Sequence, residues 1–148
     1  MITKRSVLAA AVVFGALVAF TGPSHADQKF NNKDLRGTWG FKAAGFLFVG
    51  PAGHTPASAV GLNTYDGAGG CESEAQLNAG GTVLALTSDS CTYTVNSDGT
   101  GSQQTSFGSA GSFTTHFVLI ASDETFFIVA DATQPGTTVA SGVLKRRK

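Results

Sequence analysis

The sequence predicts an all-β protein built as a single antiparallel up-and-down β-barrel of about eight strands. Short segments with apolar side chains at every second position recur along the chain, and turns rich in Gly, Asp, Asn and Ser separate them. After residue 26, no segment shows the helical spacing of apolar residues over ten positions. Short turns favour an up-and-down order, and closure into a barrel removes the exposed edges of a small sheet.

The first 26 residues are predicted to be a signal peptide. Lys4 and Arg5 give a positive start, and residues 7–20 form an apolar run that is too short for a comfortable membrane span. Thr21-Gly22-Pro23 ends the apolar run, and the small residues Ser24 and Ala26 then predict cleavage between Ala26 and Asp27. The protein is therefore expected to be exported, periplasmic or secreted, with no stable membrane anchor after cleavage; a retained anchor is the alternative.

Residues 27–148 are predicted to form one domain. This part of the chain has ten acidic and eight basic side chains, because two of the ten basic residues, Lys4 and Arg5, belong to the predicted signal peptide. Four of the remaining bases lie together at 145–148, which leaves the body of the domain mildly acidic. Nucleic acid is not an expected partner, since binding it requires a basic face on the folded body. The sequence indicates no particular oligomeric state.

The chain has two cysteines, Cys71 and Cys91. Two thiols in an oxidising compartment usually pair, so a Cys71–Cys91 disulfide is expected. The alternative is a redox-active pair, but such pairs usually have C-x-x-C spacing, which is absent here.

The first strand is predicted around Trp39, Phe41 and Ala43, which share one face at period two. The apolar run 46–49 either continues this strand or follows a kink at Gly45. Residues 27–33 are polar and are expected to be a frayed N-terminus, and residues 50–56 are expected to be a loop because Gly and Pro dominate them.

The later strands are bounded by turn residues. They are predicted at 57–65, 71–77, 82–87, from 91 to the turn at Asp98-Gly99, and at 101–107, 113–121, 125–130 and 137–145. Asp-Gly between two strands is a strong hairpin signal. In the strand 113–121, Phe113, Phe117 and the residues between them at odd positions share one face, and His116 and Val118 lie on the other.

Several polar groups have both a functional and a structural interpretation. Residues 96–101 alternate Asn and Asp oxygens like a calcium loop, but one local acid is too few, so a turn is the better interpretation and no metal is expected. His54 is expected to be exposed, and His116 is either a base inside the barrel or a surface residue. Glu72 and Glu74 form either an acid–base pair or, more simply, a solvated face. The sequence contains no catalytic or cofactor motif, so no cofactor is expected and a protein that is not an enzyme is favoured over an enzyme.

Gly37-Thr38-Trp39 resembles the G-x-W motif of lipocalin-like (calycin) barrels, and Arg146 or Arg147 would then cover the tryptophan. The sequence also resembles a group of small exported bacterial proteins of uncharacterised function, which share a G-T-[WY]-G-F opening, a central Y-x-V-x-x-D-x-x-G hairpin and an S-G-x-L-[KR] ending. These motifs correspond to residues 37–41, 93–101 and 141–145, and the resemblance covers most of the chain after residue 26. The barrels of that group look similar to the allene oxide cyclase type. The resemblance implies a barrel fold, either lipocalin-like or allene-oxide-cyclase-like, and no established activity.

The aromatic content leads to three hypotheses of function. The first is an exported barrel that binds a small apolar ligand or an envelope component, with a cavity lined by Trp39, Phe41, Tyr93, Phe113 and Phe117. The second is a cyclase or isomerase of the allene-oxide-cyclase kind, which polar side chains such as His116, Tyr93 or Glu74 inside an open cavity would favour. The third is a structural or interaction protein whose core is filled.

The expected disulfide gives a first prediction. Cys91→Ser should lower the free energy of unfolding by about 3 kcal/mol, because the crosslink restricts the unfolded chain. Urea denaturation of the variant measures this change, and the wild-type protein in dithiothreitol should show the same loss. An unchanged denaturation midpoint in both experiments would contradict the pairing.

Overall fold

A computed structural model describes residues 29–48, 53–131 and 138–148. The predicted signal peptide and its cleavage site between Ala26 and Asp27 lie outside these residues. No helix within the three described ranges has the length and apolar character needed to cross a membrane.

The described residues form nine β-strands in one antiparallel sheet that curls into a half-barrel. The strands are β1 (Gly37–Phe48), β2 (His54–Tyr65), β3 (Cys71–Ala79), β4 (Thr82–Thr87), β5 (Ser90–Val95), β6 (Thr100–Ser106), β7 (Ser112–Ala121), β8 (Glu124–Asp131) and β9 (Thr138–Arg146). Their order across the sheet is β4-β3-β2-β1-β9-β8-β7-β6-β5. Consecutive strands are therefore neighbours, with the exception of β4 and β5, which form the two edges of the sheet, and the first strand also pairs with the last.

The all-β antiparallel prediction is confirmed, and the strand count is nine instead of about eight. Strands β4 and β5 are separated only by Ser88 and Asp89, as the turn residues there predict, and they lie at opposite edges of the sheet. The loop predicted at 50–56 was wrong at its end, because β2 already begins at His54 and pairs with β1 from there. His54 itself is exposed, as expected.

The two edges of the sheet approach each other at one end. Gly70 and Thr92 form an isolated antiparallel bridge, and the amide of Tyr93 donates a hydrogen bond to the carbonyl oxygen of Gly69 (2.8 Å). A disulfide joins Cys71 to Cys91 beside this bridge, with 4.9 Å between the Cα atoms, which confirms the predicted pairing. Disulfides persist in oxidising compartments outside the cytoplasm.

The strands alternate between an inner and an outer face as predicted. In β7, Phe117 and Leu119 are buried inside, whereas His116, Val118 and Ile120 are exposed outside. Strand β1 runs without interruption through Gly45. A Cβ atom at this glycine would lie 2.0 Å from the carbonyl oxygen of Val139. The absence of a side chain at Gly45 therefore allows β9 to lie close to β1, and Gly45 does not mark a kink.

Inward-facing phenylalanines lie over glycines of the neighbouring strand. Phe41 pairs with Gly61, and a Cβ on that glycine would be 2.7 Å from the ring. Phe127 pairs with Gly142 in the same way, at 2.5 Å. The missing side chains let each ring lie flat against the sheet, which leaves space at the centre of the half-barrel.

The segment before β1 is ordered, so the prediction of a frayed N-terminus was wrong for its last residues. Residues Asn32–Leu35 form a 3-10 helix whose N-cap, Asn31, forms a capping box with Asp34. The side-chain oxygen of Asn32 accepts a hydrogen bond from the amide of Val95 (2.8 Å), and the backbone carbonyl oxygen of Asn32 accepts one from the Tyr93 hydroxyl (3.0 Å). These contacts depend on the folded sheet and leave no local signal in the sequence.

Trp39 and Arg146 close this end of the half-barrel. The indole of Trp39 is 0% exposed and donates a hydrogen bond to the carbonyl oxygen of Leu35 (2.7 Å). The guanidinium of Arg146 lies 4.8 Å from the centroid of the indole ring. It also donates to the carbonyl oxygens of Asp34, Arg36 (2.7 Å) and Ser122 (3.0 Å). Of the two candidate arginines, Arg146 is thus the one that covers the tryptophan.

The turn between β5 and β6 is the predicted hairpin. The amide of Asn96 donates to the carbonyl oxygen of Thr100 (2.8 Å), and Gly99 has a φ of 86°, which favours glycine. The Asp98 carboxylate accepts hydrogen bonds from the amide (2.9 Å) and the hydroxyl (2.7 Å) of Thr100. These bonds lower the pKa of Asp98 and stabilise the turn from within.

The geometry of Arg146 gives a second prediction. Arg146→Lys should lower the free energy of unfolding by about 2 kcal/mol, because a lysine cannot reproduce several directed hydrogen bonds together with stacking on the indole. Arg147→Lys is the matched control, since Arg147 is exposed, and should change stability by less than about 0.5 kcal/mol. Urea denaturation monitored by Trp39 fluorescence compares the two variants. Equal effects would show that Arg146 has no special role.

Candidate functional site

The half-barrel contains a cavity of about 130 Å³, which extends from the polar side chains beside the disulfide to Leu47 of β1 and Ala57 of β2. Its wall is mainly apolar and includes the side chains of Phe41, Leu77, Leu86, Phe113, Phe127 and Val129. Alanines occupy much of the inner face of β1, β2 and β3, at positions 43, 57, 59 and 75. Because alanine side chains are small, the volume between these strands and the phenylalanines opposite them stays unfilled.

The wall also includes a group of buried polar side chains, Asn63, Ser73, Gln103 and Thr105. No acidic, basic or histidine side chain lines the cavity within the described part of the chain. The site is therefore electrically neutral, and its polar groups are amides and hydroxyls.

Hydrogen bonds connect these polar groups in a row. The Asn63 amide donates to the Tyr65 hydroxyl (3.0 Å), and the Tyr65 hydroxyl donates to Oε1 of Gln103 (2.6 Å). Nε2 of Gln103 donates to the Thr105 hydroxyl (2.8 Å), which lies 3.6 Å from the sulfur of Cys91. The row thus joins β2 to β6 across the interior and ends at the disulfide.

The carbonyl oxygen of Asn63, Oδ1, is buried and has no hydrogen-bond partner among the described residues. The residue is 6% exposed and lines the cavity. A buried acceptor without a partner destabilises the folded protein by about 1–3 kcal/mol. Thr125 also has a buried hydroxyl without a partner in these residues, but it does not line the cavity.

The two tyrosines of the chain meet beneath the polar row. The rings of Tyr65 and Tyr93 make an edge contact with 4.9 Å between centroids. The Tyr93 hydroxyl accepts from the amide of Gly67 (2.9 Å) and donates to the carbonyl oxygen of Asn32. Burial is the main reason that the pKa values of Tyr65 and Tyr93 are both raised, Tyr65 much more strongly.

The structure separates the aromatic residues that were predicted to line a cavity. Phe41 and Phe113 line it, so ligand contact at these two remains a prediction. Trp39, Tyr93 and Phe117 are not part of its wall and belong to the packed core of the closed end. The physical reason is position along the strands: all five face inwards, but these three lie towards the 3-10 helix and the Tyr65–Tyr93 contact.

The polar residues that would have favoured catalysis lie elsewhere. His116 is exposed on the outer face of β7, opposite Ile128 of β8. Glu72 and Glu74 are exposed on the outer face of β3. Within the described residues, no group of three or more His, Cys, Asp or Glu side chains is placed to hold a metal ion.

Sequence reasoning missed Asn63, Gln103 and Thr105. A signal was present, because Asn63 has the same strand parity as Tyr65, and Gln103 the same parity as Thr105 and the glycine at 101. Polar residues on an inward face are unusual and often functional. The residue types alone did not reveal which face of β6 is the inner one, since both faces of that strand are polar.

The tyrosines give a third prediction. Both have pKa values raised in the folded state, so the stabilisation that this shift reflects is complete below the unfolded pKa of about 10 and is lost as the pH rises above it. In an absorbance titration at 295 nm, tyrosinate should appear late, together with cooperative unfolding. In concentrated urea the same two tyrosines should titrate near pH 10. A folded protein that ionises both tyrosines at pH 10 would contradict the burial of their hydroxyls.

No protein-family model matches this chain, and no curated protein matches it at a significant level. Among solved structures, it is similar to the S-type phycobiliprotein lyase CPES from Guillardia theta, with 11% sequence identity and a TM-score of 0.39. The similarity covers 79% of this chain and 90% of that chain. A likeness at this level supports no conclusion about function.

Proposed function

We propose that this protein is an exported binding protein that takes up a small apolar molecule in the cavity of its half-barrel. The observation that carries the proposal is the cavity itself, a neutral space of about 130 Å³ walled by phenylalanine, leucine and alanine. Protein interiors are otherwise close-packed, and unfilled volume lowers stability. A ligand of suitable shape offsets that loss of stability because it fills the cavity.

The size of the cavity limits the part of the ligand that it encloses. An apolar cavity of about 150 Å³ holds one benzene molecule. The space here therefore accommodates a single ring or a short branched chain. Exposed residues such as Phe46 and Ser58 contribute to the wall, so the cavity reaches the surface and a longer ligand has room to extend outwards.

The structure supports binding over the two other hypotheses. A filled core would favour a purely structural protein, but the phenylalanines of this core leave a cavity. The cyclase hypothesis named His116, Tyr93 and Glu74, and none of these residues belongs to the cavity wall. The disulfide supports export, since a crosslink of this kind persists in an oxidising compartment.

Filling the cavity gives a fourth prediction. Ala59→Phe places a ring in the cavity from β2 and should weaken binding of toluene at least tenfold, measured by ¹H–¹⁵N chemical-shift titration. Ala85→Phe adds the same ring to an exposed position of β4 outside that cavity and should leave binding unchanged.

Native mass spectrometry of the purified wild-type protein, followed by solvent extraction, searches for a molecule that copurifies. The proposal is wrong if nothing copurifies and if neither toluene nor the larger neutral probe N-phenyl-1-naphthylamine binds the wild type.

A further inference from the structure

We infer that the cavity selects neutral ligands that carry a hydrogen-bond donor, and that the side-chain oxygen of Asn63 accepts the hydrogen bond from this donor. The inference rests on the proposed function and adds the polar chemistry of the ligand to it.

The disulfide sets the direction of the hydrogen bonds in the polar row. The sulfur of Cys91 carries no hydrogen because it is bonded to Cys71, so in its 3.6 Å contact with Thr105 only the hydroxyl of Thr105 can donate. With its hydrogen directed at the sulfur, the Thr105 oxygen accepts from Nε2 of Gln103 (2.8 Å). The carboxamide of Gln103 is thereby oriented with Oε1 towards Tyr65.

The row of hydrogen bonds continues from Gln103 through Tyr65 to Asn63. The Tyr65 hydroxyl has one hydrogen and donates it to Oε1 of Gln103 (2.6 Å). It therefore accepts from Nδ2 of Asn63 (3.0 Å), which leaves the carbonyl oxygen of Asn63 as the acceptor without a partner. Every bond in the row runs the same way, so the unpaired group at its end is an acceptor and not a donor.

A ligand with an O–H or N–H group supplies the missing donor. A site with a buried polar group discriminates strongly against an analogue that lacks the matching group, because that buried group is then left unpaired. Together with the volume of about 130 Å³, this points to ligands whose enclosed part is a small ring or branched chain bearing a hydroxyl or an N–H.

The wall also disfavours an anionic ligand. No lysine, arginine or histidine lines the cavity in the described residues, so a carboxylate would be buried without a counter-charge and next to a carbonyl oxygen. Phenols, small alcohols and N–H heterocycles are therefore the favoured class, and fatty acids bound by their carboxylate are excluded.

Four matched probes test the inference on the wild-type protein: 4-methylphenol, toluene, 4-methylanisole and 4-methylbenzoate. The expected result is that 4-methylphenol binds about tenfold more tightly than toluene or 4-methylanisole, as one additional hydrogen bond to a buried group allows. The carboxylate should not bind measurably. Isothermal titration calorimetry gives the four dissociation constants under one buffer condition.

Asn63→Leu tests the residue, because leucine has a similar volume and no acceptor. It should remove the preference, so that the ratio of the 4-methylphenol and toluene affinities falls about tenfold. Thr64→Leu is the control, since Thr64 lies on the outer face of the same strand and is exposed. Near-ultraviolet circular dichroism checks the fold, and Asn63→Ala replaces the leucine variant if that variant unfolds.

The outcomes are separable. Equal binding of 4-methylphenol and toluene by the wild type overturns the inference, as expected if a water molecule satisfies the Asn63 oxygen, but it leaves the proposed function intact. A preference for 4-methylanisole also overturns the inference, because the free group would then be a donor. An unchanged affinity ratio in Asn63→Leu removes the role of that residue. If none of the neutral probes binds, the inference is overturned, and if N-phenyl-1-naphthylamine also fails to bind and nothing copurifies with the wild type, the proposed function itself fails.

Discussion

The guanidinium of Arg146 is the group on which the closed end of this molecule depends. It stacks on Trp39 and hydrogen-bonds carbonyl oxygens of the 3-10 helix, the residue that follows it and the turn between β7 and β8. Carbonyl oxygens at a helix end and in a turn have no partners within their own elements. One cationic fork satisfies several of them and covers the indole at the same time, so helix, first strand and last strand take fixed positions together.

The inner face of the sheet is filled by side chains at the closed end, near the 3-10 helix, and leaves a cavity towards the other end. Near the helix, the inward positions carry large side chains such as Trp39, Phe117 and Leu144, which bury one another. Further along β1, β2 and β3, alanines and glycines replace them, and the phenylalanines lie against glycine instead of projecting into the centre. The cavity is thus a consequence of side-chain size at successive inward positions. The polar row from Asn63 to Thr105 lies where the two regions meet.

Local patterns were enough to predict most of the fold. Period-two alternation marked the strands and the inner face of β7, and the Asp98-Gly99 turn followed from local chemistry. The Cys71–Cys91 pair followed from the presence of two cysteines in a chain that is expected to be exported. The 3-10 helix was missed because, apart from the local Asn31–Asp34 capping box, its contacts come from residues distant in sequence, such as Tyr93 and Arg146. The polar row was missed for a related reason. Tyr65 and Gln103 are 38 positions apart, and only the register of the intervening strands brings them within hydrogen-bond distance.

The position of Arg146 also has a consequence for the order of folding. Its hydrogen bonds to Asp34 and Arg36 span 112 and 110 residues, nearly the whole folded chain. Strand β1 can pair with β2 early, but its other edge has no partner until β9 is available. Contacts this distant in sequence close slowly. A chain that is synthesised from its N-terminus therefore keeps one edge of β1 unpaired until β9 has been made, and a chain that stops before Arg146 lacks the group that holds the helix, Trp39 and β9 together.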